Sequence, residues 1–169
     1  MNLWFRTLLV YLFAHFRPKA DVMDELRLPL RVWPTDIDVA VHMNNGRYLS
    51  LADLGRWDLM IRIGFWKTMR SNGWHPVVGA SKIWHRRSLQ PFQKFELTTQ
   101  LLFWDEKWTY IEHRYEGVGK HAGTLYCRVV IKSLFLHGRE KVPSADLISA
   151  FGYDGSSPPR DEALVAALA

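Results

Sequence analysis

The chain has 169 residues, 22 basic against 17 acidic side chains, a net charge of +5 and 48% hydrophobic residues. That length sets an expectation of one domain with a sizeable core, and the apolar content excludes a largely disordered chain. The one cysteine, Cys127, excludes an internal disulfide framework and cysteine-built zinc sites.

The basic residues are scattered rather than gathered in a run, and no nucleic-acid fold signature accompanies them. A small polyanionic ligand or a membrane surface is therefore the expected partner, and nucleic acid is not. Cys127 sits in an alternating segment and reads as a core thiol, not a nucleophile.

Residues 1–20 read as an apolar N-terminal helix. From Leu3 to Phe16 only Arg6, Thr7 and His15 interrupt the apolar run. That run falls short of the roughly 20 residues a bilayer span needs, and it lacks the small-residue cleavage pattern of a secretory signal. With Trp4, Phe5, Arg6, His15, Arg17 and Lys19 it suits a helix lying in the headgroup region, so peripheral membrane contact through residues 3–16 is expected of an otherwise cytoplasmic chain. The alternative is packing on the domain or on a dimer partner.

Leu26 to Trp33 alternates as a strand, which Pro34 closes. A loop from Thr35 to Met43 leads to Asn44, a good helix cap. Tyr48, Leu51, Ala52, Gly55 and Leu59 then fall on one helical face. Gly55 there costs about 1 kcal/mol against alanine, which implies close approach of the helix to a sheet. Gly64 ends the helix, and Phe65 to Arg70 forms a further turn.

Four strand-like segments follow, Val77–Leu89, Phe95–Asp105, Trp108–Gly117 and Gly123–His137. Gly117-Val118-Gly119-Lys120 looks like a fragment of a phosphate loop but reads as a hairpin connection. One long helix followed by consecutive strands indicates an α+β domain with an antiparallel sheet of about five strands over the helix. Residues 21–153 form this domain; residues 154–161 are rich in Gly, Ser and Pro, so 154–169 is expected to be a flexible tail.

The chemistry concentrates at Asp36 to Tyr48, where two carboxylates and a histidine precede an Asn-Asn helix cap. A helix start gathers unpaired N–H groups and positive dipole, a setting suited to acyl chemistry. By residue type alone Asp38 reads as a turn or cap residue, and Asn44-Asn45 as a capping pair. Asp36 holds the turn through backbone contacts; an Asp36–Asp38 metal pair lacks a further ligand set, so no metal is expected. Asp53 follows Asn45 by about two helical turns. A carboxylate near the apolar face there is either a second catalytic acid or a structural acceptor facing Arg56.

The pattern Asp36-x-Asp38-x-x-Val41-His42-Met43-Asn44-Asn45-x-x-Tyr48 resembles the active-site signature of the hotdog-fold thioesterases, the 4-hydroxybenzoyl-CoA thioesterase-like group. In that group it runs roughly Asp-x-Asp-x-x-Gly-His-Val-Asn-Asn-x-x-Tyr. The likeness continues from Leu49 to Gly64, over His85-Arg86-Arg87-Ser88-Leu89 and over Phe103-Trp104-Asp105, where it is similar to the branch containing thioesterase superfamily member six. It covers about residues 26–150.

The resemblance implies a hotdog fold, in which the sheet wraps a central helix. It also implies a homodimer or dimer of dimers with the site at the subunit boundary, and hydrolysis of acyl thioesters carried by coenzyme A or an acyl carrier protein, with no cofactor. Asp38 would be nucleophile or general base. Backbone N–H groups of Asn45 and Gly46 would hold the oxyanion, and Asp53 is the second catalytic candidate. His42, Asn44 and Tyr48 would shape the substrate site, and Arg86, Arg87 and Lys107 would meet carrier phosphates. The leaving thiol, with a pKa near ~8.5, needs no strong general acid.

Two departures qualify the match. Val41 replaces a glycine, which predicts a different loop path. Asp105-Glu106-Lys107 keeps one cation where members with a well-described coenzyme A site place several, and Arg86 and Arg87, adjacent on the expected strand, would point to opposite faces. A non-catalytic acyl-binding or membrane-associated protein on the same fold is the second reading, and a dehydratase relative the third.

Overall fold

The computed structural model describes residues 3–169. In chain order the elements are α1 (Leu3–Ala14), β1 (Leu26–Arg31), α2 (Asn45–Arg62), α3 (Phe65–Asn72), β2 (Trp74–His85), β3 (Lys94–Trp104), β4 (Thr109–Gly117), β5 (Leu125–His137), β6 (Glu140–Val142), α4 (Ser144–Ser149) and α5 (Glu162–Ala167). The strands form one antiparallel sheet in the order β1-β3-β4-β5-β2, with β6 paired to the end of β5. The sheet curls around α2 in the hotdog arrangement.

Helix α2 starts where its sequence says it should: the Asn44 side chain accepts the Gly46 N–H at 2.9 Å. Its buried face carries Tyr48, Leu51, Ala52, Leu54, Gly55 and Leu59. Tyr48, Leu51, Ala52 and Leu54 pack into a core with Leu28, Phe95, Leu97, Tyr115, Val129 and Ile131. Gly55 is the point of closest approach. A methyl there would overlap Thr99 Oγ1 and sit 3.1 Å from Leu97 Cδ2 and 3.3 Å from His113 Nδ1. Cys127 lies in the same core, where burial pushes its thiol up to about 12, so it is no nucleophile at neutral pH.

Strand β2 ends at His85, earlier than the alternation suggested. The N–H groups of both Arg86 and Arg87 bond to the Tyr126 carbonyl, at 2.9 and 3.0 Å, which turns the chain out of the ladder. The two arginines lie in the loop and do not divide between sheet faces. The connection at Gly119–His121 is a short 3-10 turn between β4 and β5.

The C-terminal segment is not the flexible tail its composition suggested. Trp104 N–H bonds to Ser157 Oγ at 2.9 Å, and Asp161 caps α5 by accepting from Leu164 N–H at 3.0 Å. Leu164 and Leu168 are buried against Phe103, Tyr110 and Val130 on the sheet. Two leucines four residues apart on one face outweigh the Gly/Ser/Pro-rich approach to them.

Helix α1 lies on α2, with Arg6, Val10 and Ala14 on its buried face, and Arg6 reaches the Arg31 carbonyl at the end of β1. No described helix is long and apolar enough to cross a membrane.

Candidate active site

The loop from Trp33 to Asn44 is shaped by its own carboxylates. Asp36 is buried; its Oδ2 accepts the Trp33 N–H at 2.9 Å and lies 2.6 Å from the Arg6 guanidinium, while Oδ1 lies 3.4 Å from Arg47 Nε. Its carbonyl accepts the Asn44 N–H at 2.8 Å. Asp36 is thus the anchor that joins α1, the loop and the start of α2, and it is saturated by cations.

Two residues on, Asp38 closes a tight turn. Val41 N–H bonds to the Asp38 carbonyl at 3.0 Å, and Asp38 N–H to the His42 carbonyl at 3.2 Å. Val41 has φ +57°, the left-handed region that glycine enters without cost. The turn places valine in a conformation that favours glycine, and the cost is strain at a β-branched residue.

The Asp38 carboxylate meets neutral donors. Oδ1 accepts the Ala40 N–H at 3.0 Å, and Oδ2 lies 3.4 Å from Asn44 Nδ2. His42 Nδ1 stands 3.8 Å from Oδ1 and 3.2 Å from Met43 O. No lysine or arginine pairs with Asp38 among the described residues, and its side chain is 25% exposed. Asn44 uses both ends of its amide, capping α2 with Oδ1 and holding Asp38 with Nδ2, so the carboxylate is fixed beside the helix N-terminus.

The expected oxyanion donors fare differently. Gly46 N–H is taken by the Asn44 cap, so it is not a standing donor. Asn45 N–H has no partner among the described residues. Tyr48 is buried rather than presented to a ligand. Its ring stacks edge-on with His85 and Tyr115 at 4.9 and 5.1 Å, and Leu89 N–H bonds to its hydroxyl at 3.4 Å. Desolvation raises its phenol above the ordinary tyrosine value. It fixes the loop after β2 against α2.

Asp53 lies elsewhere. Its side chain is 45% exposed and ion-paired to Arg56, the partner foreseen for it. It stands at the wall of an apolar cavity of about 300 Å³ between α2, α3, α4 and the sheet, lined by Trp57, Met60, Ile63, Phe65, Ile111 and Phe135 among others. Asp38, Asn45 and Gly46 do not line that cavity, so one chain does not bring the two catalytic candidates together.

Nor does it gather the cations expected at the carrier phosphates. Arg86 and Arg87 are exposed near the start of α2, behind the Tyr48–His85 contact. Lys107 sits in the β3–β4 turn at the other end of β4, whose nine residues span about 30 Å. There the Lys107 ammonium lies 4.4 Å from the centre of the Trp108 ring, and its pKa is lowered by desolvation and by nearby Lys141. Asp105 builds that turn, accepting the N–H groups of Lys107 and Trp108 at 2.9 and 2.7 Å.

Sequence reasoning missed three buried charges. Asp58 on α2 meets Arg17 at 3.1 Å and Arg62 at 3.5 Å, and only the four-residue spacing to Arg62 signals it. Glu112 on β4 is held by Arg114, at 2.7 Å, and Arg128. Arg6, read as a membrane-facing cation, points inward to Asp36. Among the described residues no cluster of three or more His, Cys, Asp or Glu could hold a metal ion.

The thioesterase-like superfamily matches residues 32–150 of the chain. The chain belongs to that superfamily. This thioesterase-like chain is 38% identical over 118 residues to Protein THEM6 of Xenopus laevis, covering 68% of the chain and 57% of the frog protein. It spans about half the length of the sequence relatives it matches. Its fold is similar to that of a probable thioesterase, YbaW, from Escherichia coli, with TM-score 0.69 and 20% identity over 74% of this chain and 95% of that one. It is also similar to Slr0204, a 1,4-dihydroxy-2-naphthoyl-CoA thioesterase from Synechocystis, with TM-score 0.65 and 9% identity over 76% and 96%. The thioesterase-like family and hotdog fold expected from the signature are both present.

Proposed function

We propose that the chain hydrolyses acyl thioesters with Asp38 as the catalytic carboxylate, working as a homodimer or dimer of dimers. The observation that carries this reading is the state of Asp38 beside its neighbours. Asp36, Asp58 and Glu112 are buried and neutralised by arginines. Asp38 is held by an amide N–H and a side-chain amide at the N-terminus of an 18-residue helix, with its charge uncompensated by lysine or arginine. A carboxylate so placed can attack a thioester carbonyl or take a proton from water, while the helix dipole and the Asn45 N–H favour the oxygen that becomes negative. The thiolate then departs unaided.

The separation of Asp38 from the apolar cavity of its own chain supports a site completed by a second copy. With Lys107 in the β3–β4 turn and Arg86 and Arg87 at the far end of the sheet, the cations expected at carrier phosphates do not meet in one chain, which favours an acyl carrier protein over coenzyme A as the carrier. Asp53 is the second reading, since it is the carboxylate at the cavity wall.

A thiol-release assay over short, long and aromatic acyl groups, on both carriers, separates these possibilities. Asp38→Asn is expected to lower turnover about 10²- to 10⁴-fold with unchanged melting, while Asp53→Asn retains most activity. Full turnover in Asp38→Asn overturns the assignment, and loss confined to Asp53→Asn moves the chemistry to the cavity. Acyl-ligand binding with no turnover by wild type on any substrate makes the chain a binding protein.

A further inference from the structure

Helix α1 is amphipathic in the wrong sense for water. Its one charged residue, Arg6, is buried, and its outward face is apolar. Trp4 is 80% exposed and Phe16 just past the helix 86%, with Phe5, Leu8, Tyr11 and Phe13 also open to solvent. A solvated helix turns its charges outward and its apolar stripe inward. Here the inward face is already satisfied by α2 and the end of β1, and a second apolar face is left over.

That face belongs to a fixed part of the molecule. Arg6 is joined to Asp36 and to the Arg31 carbonyl at 3.2 Å, Arg17 reaches Asp58, and Arg62 Nε donates to the Pro18 carbonyl at 2.9 Å. The helix of 12 residues is too short to cross a bilayer. Its size, its Trp and Tyr side chains and its bulky apolar face match a helix lying in the interfacial zone.

The surroundings choose among occupants. On one side a groove bordered by Tyr11 and His15 carries Lys67 and Arg70; on the other, a groove bordered by Phe13 carries Arg31 and Lys94, which pair across β1 and β3. Neither Lys67, Arg70, Arg31 nor Lys94 is in an ion pair among the described residues. The carboxylate in these grooves is Asp58, buried and already paired. An apolar ridge between two cationic flanks complements an anionic lipid surface, each exposed cation adding attraction there. Stacking two copies through the ridge would bring like charges together.

We propose that the outer face of α1 docks the protein on an anionic bilayer, the aromatic side chains entering the headgroup–acyl boundary and the flanking cations meeting lipid phosphates. The Arg6–Asp36 pair, two residues from Asp38, ties the docked helix to the loop that carries Asp38. The binding itself does not depend on hydrolysis, and its test reads partitioning without turnover.

The full chain is floated with vesicles of phosphatidylcholine alone and of phosphatidylcholine with phosphatidylglycerol in roughly equal parts. Wild type is expected to float with the anionic vesicles, to float poorly with the neutral ones, and to lose binding as salt is raised. Trp4→Ser/Phe16→Ser is expected to partition at least about tenfold more weakly, and Lys67→Glu/Arg70→Glu to lose the preference for anionic lipid. Both should melt as wild type does, since these side chains lie outside the core. Wild type left in the soluble fraction with every vesicle overturns the proposal, as do variants that float equally well. A wild-type dimer that Trp4→Ser/Phe16→Ser converts to monomer in the absence of lipid overturns it too and gives the face to a second copy.

Discussion

At the scale of single residues, the fate of each acid is set by what sits across from it. Asp36 and Asp38 are two positions apart in one loop, yet one is spent in a buried ion pair and the other held by neutral donors. Val41 stands between Asp38 and the helix cap and carries the strain of that loop at φ +57°. A left-handed β-branched residue costs about 1–3 kcal/mol, and a glycine there gives back about 0.4–1 kcal/mol of it through the unfolded chain. Val41→Gly is therefore expected to stabilise the protein by about 1 kcal/mol, read as a higher urea midpoint at unchanged slope. Most valine-to-glycine changes destabilise. A lower midpoint would show that the side chain, 65% exposed, contributes packing that the backbone angle does not reveal.

At the scale of elements, the contact between α2 and the sheet explains both what the sequence made legible and what it hid. Pro34, Asn44 and Gly64 mark element ends by backbone chemistry, and the face from Tyr48 to Leu59 marks α2, because such signals act within a few residues of themselves. Partners far along the chain leave no such mark: Arg6 for Asp36, Arg17 for Asp58, and the opposite ends of β4 for Lys107 and the arginine pair. Gly55 signalled a close approach, but not that a histidine lies beneath it. His113 is fully buried, with Nδ1 3.0 Å from Thr99 Oγ1 and no partner for Nε2 among the described residues.

Desolvation, helped by the charge of Arg56, lowers the His113 pKa to about 3. Its unfolded value is near 6.5, so the unfolded chain binds the proton first as pH falls. The stability this neutral imidazole contributes is complete above about pH 6.5 and declines toward pH 3, reaching a loss of about 2–3 kcal/mol by roughly pH 4.5. His113→Gln should be less stable than wild type at neutral pH, yet show a shallower fall of melting temperature over that interval. Parallel curves would mean that other groups carry the acid sensitivity.

At the scale of the whole molecule, the sheet ends on one side in β2, a 12-residue strand with no strand beyond it among the described residues. Val77 and Val78 on this strand are exposed. A long apolar edge is a template for pairing, and proteins that remain monomeric blunt such edges with charge, proline or a covering segment. Pro76 and the irregularity between Val78 and Ala80 interrupt this edge without covering it. Antiparallel pairing of two β2 strands would make a continuous sheet, and under the proposed function it would set Asp38 of one copy against surfaces of the other. Light scattering is expected to give twice the 19.7 kDa chain mass at micromolar concentration. Val77→Lys should yield a folded monomer, since Val77 is exposed and lies outside the cavity lining, with turnover reduced as far as in Asp38→Asn. A wild-type monomer that turns over substrate would show that one chain holds the complete site, and a dimer unmoved by the lysine would place the subunit contact away from β2.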